Sequence, residues 1–165
     1  NPLNTYGISK LAGEHLTASK SDRHLIIRTS GLFGLNPCRG KDSQNFVEMF
    51  IGLVEGNDCI AFDGREVFTM TSTENLSAQI EVLVSSDKTG LFHAVSEGEC
   101  SLYQFGEEII SLLGSPVQME FRPLSCEEDI ARPDYTPLEN RRLDELGMNC
   151  MKHWKENLRT YLKKR

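Results

Sequence analysis

Two hydrophobic periods alternate along the chain, and their alternation predicts a mixed α/β fold. Residues from about 4 to 20 place Ile8, Leu11 and Leu16 at helical spacing on one face. The apolar run HLIIR at residues 24–28 is typical of a fully buried strand in a parallel sheet. Short strands then alternate with helices to the end of the chain, which favours an open, doubly wound α/β unit with a small carboxy-terminal lobe.

The later elements can be bounded from turn and capping signals. Ser43, Ser72 and Ser101 are predicted to cap the amino ends of three helices, and Gly114 to end one of them. The expected strands lie at residues 59–62, 67–70, 91–95 and 117–121, and the expected helices begin near residues 44, 72, 102, 139 and 151.

Composition narrows the class of protein. A length of 165 residues with 39% hydrophobic and 25% charged residues suits one globular domain with a real core. The net charge of −6 argues against a nucleic-acid-binding role, which needs a basic surface. The longest apolar runs are too short to span a membrane, so we expect a cytoplasmic protein.

Cysteine and histidine usage argues against structural cross-links. The chain has five cysteines at wide spacings with no Cys-x-x-Cys pair, and the four histidines lack metal-ligand spacing. We therefore expect reduced thiols, no disulfide framework and no metal site.

A Tyr-x-x-x-Lys pair offers the sharpest chemical signal. Tyr6 and Lys10 would share one face of the first helix. An ammonium beside a phenol stabilises the phenolate, so such a tyrosine can transfer a proton near neutral pH. The spacing is common, however, and a surface lysine beside a half-buried tyrosine is the alternative that the pair alone leaves open.

Motifs in family order extend this signal over the whole chain. The chain resembles the carboxy-terminal half of the dTDP-4-dehydrorhamnose reductase family, within the extended short-chain dehydrogenase/reductase superfamily. The resemblance rests on NPLNTYGISKLAGE at 1–14, RTSGLFG at 28–34, Asn45 with Phe46, GLFHAVSEGECSLYQF at 90–105, Arg132 with Pro133, LDELG at 143–147, and WKENL at 154–158 with Tyr161 and Leu162.

The resemblance implies a fold and a cofactor side of the site. It implies a partial Rossmann-like, doubly wound parallel sheet with the Tyr-x-x-x-Lys helix in residues 1–35, and mostly a sugar-nucleotide-binding lobe in residues 36–165. The implied cofactor is NADPH or NADH. Tyr6 and Lys10 would be catalytic and would also contact the cofactor, together with Thr29, Ser30 and Gly31.

The substrate side is implied in the same way. The substrate would be a sugar nucleotide, reduced at a 4-keto group to dTDP-L-rhamnose in the standard family reaction. Asn45, Phe46, Thr71 and Arg132 would line its site. The chain departs from the family at Gly31, where an aromatic that contributes to the sugar site is frequent, and in residues 70–77.

Other family motifs are not found in these residues. A Gly-x-x-Gly-x-x-Gly turn and a Ser/Thr-bearing strand are missing, so we expect a truncated reductase that is inactive alone. We also expect an exposed core face that favours a homodimer or other association. The alternatives are a regulatory module, resembling the beta subunit of methionine adenosyltransferase, and another 4-ketosugar reductase or epimerase.

Overall fold

Helices and short strands alternate throughout the computed structural model, which describes residues 2–36, 45–62, 64–122 and 133–165. The helices are α1 (Thr5–Lys20), α2 (Phe46–Gly56), α3 (Thr73–Val84), α4 (Leu102–Leu113), α5 (Arg141–Glu145) and α6 (Trp154–Lys164). The strands are β1 (Leu25–Arg28), β2 (Leu32–Phe33), β3 (Cys59–Phe62), β4 (Val67–Phe68), β5 (Thr71–Ser72), β6 (Gly90–His93), β7 (Cys100–Ser101) and β8 (Gln118–Phe121).

Parallel pairing dominates among the described strands, as the α/β prediction requires. β1 pairs with β6, β2 with β5 and β3 with β8, all parallel, whereas β4 and β7 are antiparallel. One expectation is wrong in detail: β1 is half-buried along its whole length rather than fully buried. The reason is that α1, the helix that precedes it, buries none of its own side chains.

Helix capping follows the sequence signals closely. Ser72 accepts a hydrogen bond at the start of α3, and Ser101 forms a reciprocal capping box with Gln104 at the start of α4. Gly114 ends α4 in the left-handed conformation, as predicted. The cap of α2 is Asn45, and Ser43 lies outside the described residues.

The main core is aromatic and lies where α2, α4 and α6 meet. Phe105 packs on Phe33 and Trp154, with ring centroids 5.6 and 5.4 Å apart, and Phe33 meets Tyr161 edge-on at 5.7 Å. A smaller cluster holds α3 and α5 against the β1–β6 pair, and it centres on Leu83, Phe92 and Leu143. The two clusters share no buried residue.

Two carboxamides of α3, one buried and one half-buried, hold the irregular segment that leads into α6. Gln79 donates to the Met148 carbonyl at 3.1 Å and accepts from the Cys150 amide at 2.8 Å. Asn75 accepts from the Lys152 amide at 2.8 Å. These side chains replace the hydrogen bonds that a strand or helix would otherwise supply.

Two further expectations concern membranes and thiols. Within the described part of the chain, no helix is long and apolar enough to cross a membrane. The described cysteines at positions 59, 100 and 150 are free thiols. Burial raises the pKa of the Cys100 thiol to about 12, so this thiol stays protonated at neutral pH.

Candidate active site

Tyr6 and Lys10 stand side by side on the first turns of α1. Asn4 caps the helix by accepting from the Gly7 amide at 2.9 Å. The Lys10 Nζ lies 5.3 Å from the centroid of the Tyr6 ring, and the Tyr6 side chain is 71% exposed. The ammonium and the phenol are therefore close, as the spacing predicts, and both can be reached from outside. Their catalytic role stays a prediction.

An ion pair joins α1 to the end of β1. Arg28 Nε and Nη2 donate to the two carboxylate oxygens of Glu14, both at 2.7 Å. The hydrogen bonds from Arg28 hold the pKa of the Glu14 carboxyl below its usual value, against the opposing effect of burial. Glu14 thus stays ionised over the neutral range.

The direction of α1 follows from this pair. Residues 21–24 connect the carboxyl end of α1 to the amino end of β1. Glu14 contacts Arg28, so α1 runs antiparallel to β1. Tyr6 precedes Glu14 by eight residues and lies about 12 Å farther along the helix, toward the carboxyl end of β1. Ligands of open α/β sheets bind at that end of the strands.

The loop at the carboxyl end of β1 carries the predicted cofactor-side residues. Thr29, Ser30 and Gly31 follow β1 directly and are half-buried. The Thr29 Oγ1 atom is itself buried and has no hydrogen-bond partner among the described residues. The Gly31 carbonyl accepts from the Thr71 amide at 2.8 Å, which ties this loop to β5.

Gly31 has no room for a side chain. Its φ of +46° is a conformation that L residues rarely adopt. A Cβ placed there would lie 2.7 Å from the Thr69 carbonyl oxygen and 2.9 Å from Cε2 of Phe68. The family's frequent aromatic at this position is therefore incompatible with this backbone.

Asn45 and Phe46 both make contacts at the main core, through hydrogen bonds and ring packing respectively. Asn45 accepts from the Glu48 amide at 3.0 Å and donates to the Gly34 carbonyl at 2.7 Å and to the Tyr161 hydroxyl at 3.0 Å. Phe46 packs on three other phenylalanine rings of the core. Both Nδ2 hydrogens of Asn45 are used, so only its carbonyl oxygen can accept a further bond. Substrate contact by either residue stays a prediction.

The remaining two predicted substrate residues differ in what the structure says of them. Thr71 is 0% exposed, and its hydroxyl accepts from the Ser96 amide at 3.2 Å. The backbone amide of Thr71 bonds to the Gly31 carbonyl, so Thr71 supports the loop at Gly31. Arg132 lies outside the described residues.

A cavity of about 800 Å³ borders the carboxyl end of β6. Its wall includes His93, which is the register partner of Arg28, and Thr69, which lies against Gly31. The lining also contains five carboxylates and one arginine, namely Glu97, Glu99, Glu139, Asp144, Glu145 and Arg141. No group of three or more possible metal ligands of the His, Cys, Asp or Glu type occurs in the described part of the chain.

Sequence reasoning missed a hydrogen-bonded group behind Asn45. The Tyr161 hydroxyl donates to Glu48 Oε1 at 2.5 Å, and Arg165 Nε donates to Glu48 Oε2 at 2.9 Å. Burial, chiefly, raises the pKa of Tyr161. The sequence carries no signal for this group, because Asn45 and Glu48 lie more than 100 positions from Tyr161 and Arg165.

Known proteins resemble the chain along nearly its whole length. The chain is 30% identical to the spore coat polysaccharide biosynthesis protein SpsK of Bacillus subtilis (strain 168), over 100% of this chain and 56% of that protein. It is similar to the crystal structure of a dTDP-4-dehydrorhamnose reductase from Clostridium acetobutylicum, with a TM-score of 0.88 and 30% identity over 99% of this chain and 56% of that one.

A second solved structure is that of the dTDP-4-dehydrorhamnose reductase from Bacillus anthracis in complex with NADP. The TM-score is 0.86 and the identity 29%, over 99% of this chain and 56% of that chain. The chain thus spans about half the length of the relatives that it matches. The family model described as RmlD substrate binding domain matches residues 1–165, so the chain belongs to this family.

Proposed function

We propose that this chain supplies the proton-donating helix and the sugar-nucleotide lobe of an NADPH-dependent reductase of 4-keto sugar nucleotides. The observation that carries the proposal is the exposed Tyr6–Lys10 pair, with the Lys10 Nζ 5.3 Å from the Tyr6 ring. The direction of α1 aims this pair toward the carboxyl end of β1, where an α/β sheet binds its ligands. The family membership and the reductase relatives support the same reaction class.

The residues around Gly31 suit a nicotinamide nucleotide. The orphaned Thr29 Oγ1 can bond a ligand amide or hydroxyl, and Lys10 can donate to ribose hydroxyls. Ser30 and Gly31 would bring backbone close to the ring. When bound, NADPH supplies the hydride that reduces the carbonyl carbon.

The chain's own contribution is proton transfer and orientation. Tyr6 would donate its phenolic proton to the carbonyl oxygen of the sugar. Lys10, beside the ring, would stabilise the phenolate left behind. The proton then returns to Tyr6 from solvent, which its exposure permits.

The substrate side is proposed to lie in residues 36–165, with residues 1–35 as the end of the Rossmann-like core. Phe46, Asn45 and Arg132 would border the sugar nucleotide, and buried Thr71 would act by supporting the loop at Gly31. Gly31 stands where the family frequently has an aromatic, and its surroundings leave no room for a side chain, so that aromatic's part of the sugar site is absent from this chain. This difference supports a 4-keto sugar other than dTDP-4-dehydrorhamnose as the second candidate substrate.

The test is a reduction assay on a protein that holds these 165 residues together with a dinucleotide-binding unit. The segment of the Bacillus anthracis reductase that this chain does not match can supply that unit. With NADPH and a 4-keto sugar nucleotide, Tyr6→Phe should lower kcat by about 10²–10⁴-fold with little change in substrate KM. Lys10→Met should lower kcat and raise the KM for NADPH, since Lys10 has two roles.

The matched control is Tyr103→Phe, which removes a tyrosine hydroxyl that bonds to the Met119 carbonyl away from the cavity at the carboxyl end of β6. It should leave kcat unchanged. Full activity of Tyr6→Phe would mean that α1 is scaffold only. If the unaltered protein shows no turnover at all, a non-catalytic, partner-binding module becomes the better proposal.

A further inference from the structure

α1 is attached to the rest of the chain by very little apolar contact. None of its 16 residues is buried. Ile8 and Leu16 remain 58% and 64% exposed. A helix in a globular protein is normally held by its apolar face, so within these 165 residues the position of α1 must depend on other contacts.

The polar contacts of α1 identify that attachment. Ser9, Thr17 and Ser19 bond to carbonyls of α1 itself. Glu14, in contrast, bonds to Arg28 in β1. Among the described residues, this is the side-chain ion pair that joins α1 to the sheet.

The geometry of the pair makes it a directional anchor. Both bonds measure 2.7 Å and run in parallel from one guanidinium to one carboxylate, which fixes orientation as well as distance. The side chains of Arg28 and Glu14 are 41% and 21% exposed, so solvent screens the pair only in part. Arg28 is itself fixed, because its carbonyl accepts from the Ala94 amide at 2.9 Å beside β6.

Tyr6, Lys10 and Glu14 lie at intervals of four residues and so form one stripe on α1. Glu14 is the foot of that stripe. With Tyr6 about 12 Å away, a 10° swing of the helix about Glu14 would move Tyr6 by about 2 Å. Misplacement of about 1 Å can cost a catalyst about 10²-fold.

We infer that Glu14 and Arg28 are positioning residues, which set where Tyr6 and Lys10 stand relative to the carboxyl end of β1. The pair does not touch the reacting atoms. It acts through the direction of α1. The catalytic part of this inference rests on the proposed function, whereas the docking of α1 does not.

Docking can be tested on the 165-residue chain by amide hydrogen exchange. Glu14→Gln keeps the shape of the side chain and removes its charge. We expect exchange in residues 5–20 to speed up by about tenfold, with exchange in α4 unchanged as the monitor of the core. The matched control is Glu145→Gln, which breaks the exposed Arg141–Glu145 pair and should leave α1 unaffected.

The charge swap Glu14→Arg with Arg28→Glu should bring exchange in α1 back to within about threefold of the original. Unchanged exchange in Glu14→Gln would overturn the docking. Equal acceleration in α1 and α4 would overturn it as well, because the effect would then be global instability.

Positioning is tested in the reductase assay above. Glu14→Gln should lower kcat by about tenfold or more with the sugar-nucleotide KM nearly constant, and the charge swap should recover most of kcat. Faster exchange with an unchanged kcat would overturn the positioning role. If the unaltered protein shows no turnover, the proposed function fails, while the exchange result still decides whether the pair docks α1.

Discussion

α1 and α6 are held in place by different forces. α1 buries none of its 16 residues, whereas α6 buries four of its 11, namely Trp154, Asn157, Leu158 and Tyr161. α6 therefore belongs to the core and is fixed mainly by packing, to which ion pairs of Lys155, Arg159 and Lys164 are added at its surface. α1 is positioned by charge at one point. The helix that carries the candidate chemistry is thus the one with the weakest attachment among the residues described.

The two edges of the β1–β6 sheet beside α1 also differ in how well they are covered. Arg142 donates to the carbonyls of Leu91 and Thr89 at 2.8 and 2.9 Å, which closes the outer edge of β6. Its guanidinium also lies 4.1 Å from the centroid of the Phe92 ring. No described strand pairs with the other edge of β1. An apolar surface near Ile8 and Leu16 is exposed as expected, and association through it stays a prediction.

The largest expected effect comes from replacing one leucine of each helix by alanine. Leu158 in α6 is 0% exposed, so Leu158→Ala should lower the free energy of unfolding by about 3 kcal/mol through lost burial and a new cavity. Leu16→Ala in α1 should change it by no more than about 0.5 kcal/mol. Urea denaturation at constant pH measures both. Similar losses for the two variants would mean that α1 is packed after all.

A smaller effect is expected for the polar attachment of α6. Asn157 donates to Ser96 Oγ at 2.9 Å and to Asn75 Oδ1 at 3.2 Å within the interior. Asn157→Ala should cost about 2 kcal/mol, because these acceptors lose their partner without gaining water. Lys163→Ala, at an exposed position of the same helix, is the control and should be near neutral. A neutral Asn157→Ala would show that the interior there admits water.

Local features of this fold could be predicted from the sequence. The capping box at Ser101 and the end of α4 at Gly114 involve neighbours within a few residues, so the local sequence predicts both. The closeness of Tyr6 and Lys10 follows from helical spacing in the same way.

Features that depend on long-range contacts could not be predicted. No local sequence pattern predicts that Glu14 forms an ion pair with Arg28, or that Asn45 donates a hydrogen bond to Tyr161. Thr71 matches a family position for a substrate contact, and that match gave no indication that Thr71 is fully buried in β5 beside β2. Such placements come from tertiary packing, which local periodicity does not encode.

The smallest effect is expected at the last buried residue of α6, and it depends on pH. The Tyr161 hydroxyl donates to Glu48 and accepts from Asn45, and burial is the main cause that raises its pKa. A raised pKa means that the folded state keeps the proton more firmly than the unfolded state. The hydroxyl's contribution to stability is therefore complete below the unfolded pKa of about 10 and is lost as the pH rises through the folded pKa.

At pH 8, Tyr161→Phe should be less stable than the unaltered chain by about 1 kcal/mol. Above pH 10 this difference should shrink, since only the unaltered chain must ionise a buried phenol. Urea midpoints at pH 8, 9.5 and 10.5 measure the trend. A gap that stays constant or widens with pH would mean that the Tyr161 hydroxyl reaches water, and the contrast between the two helices would then be weaker than the packing implies.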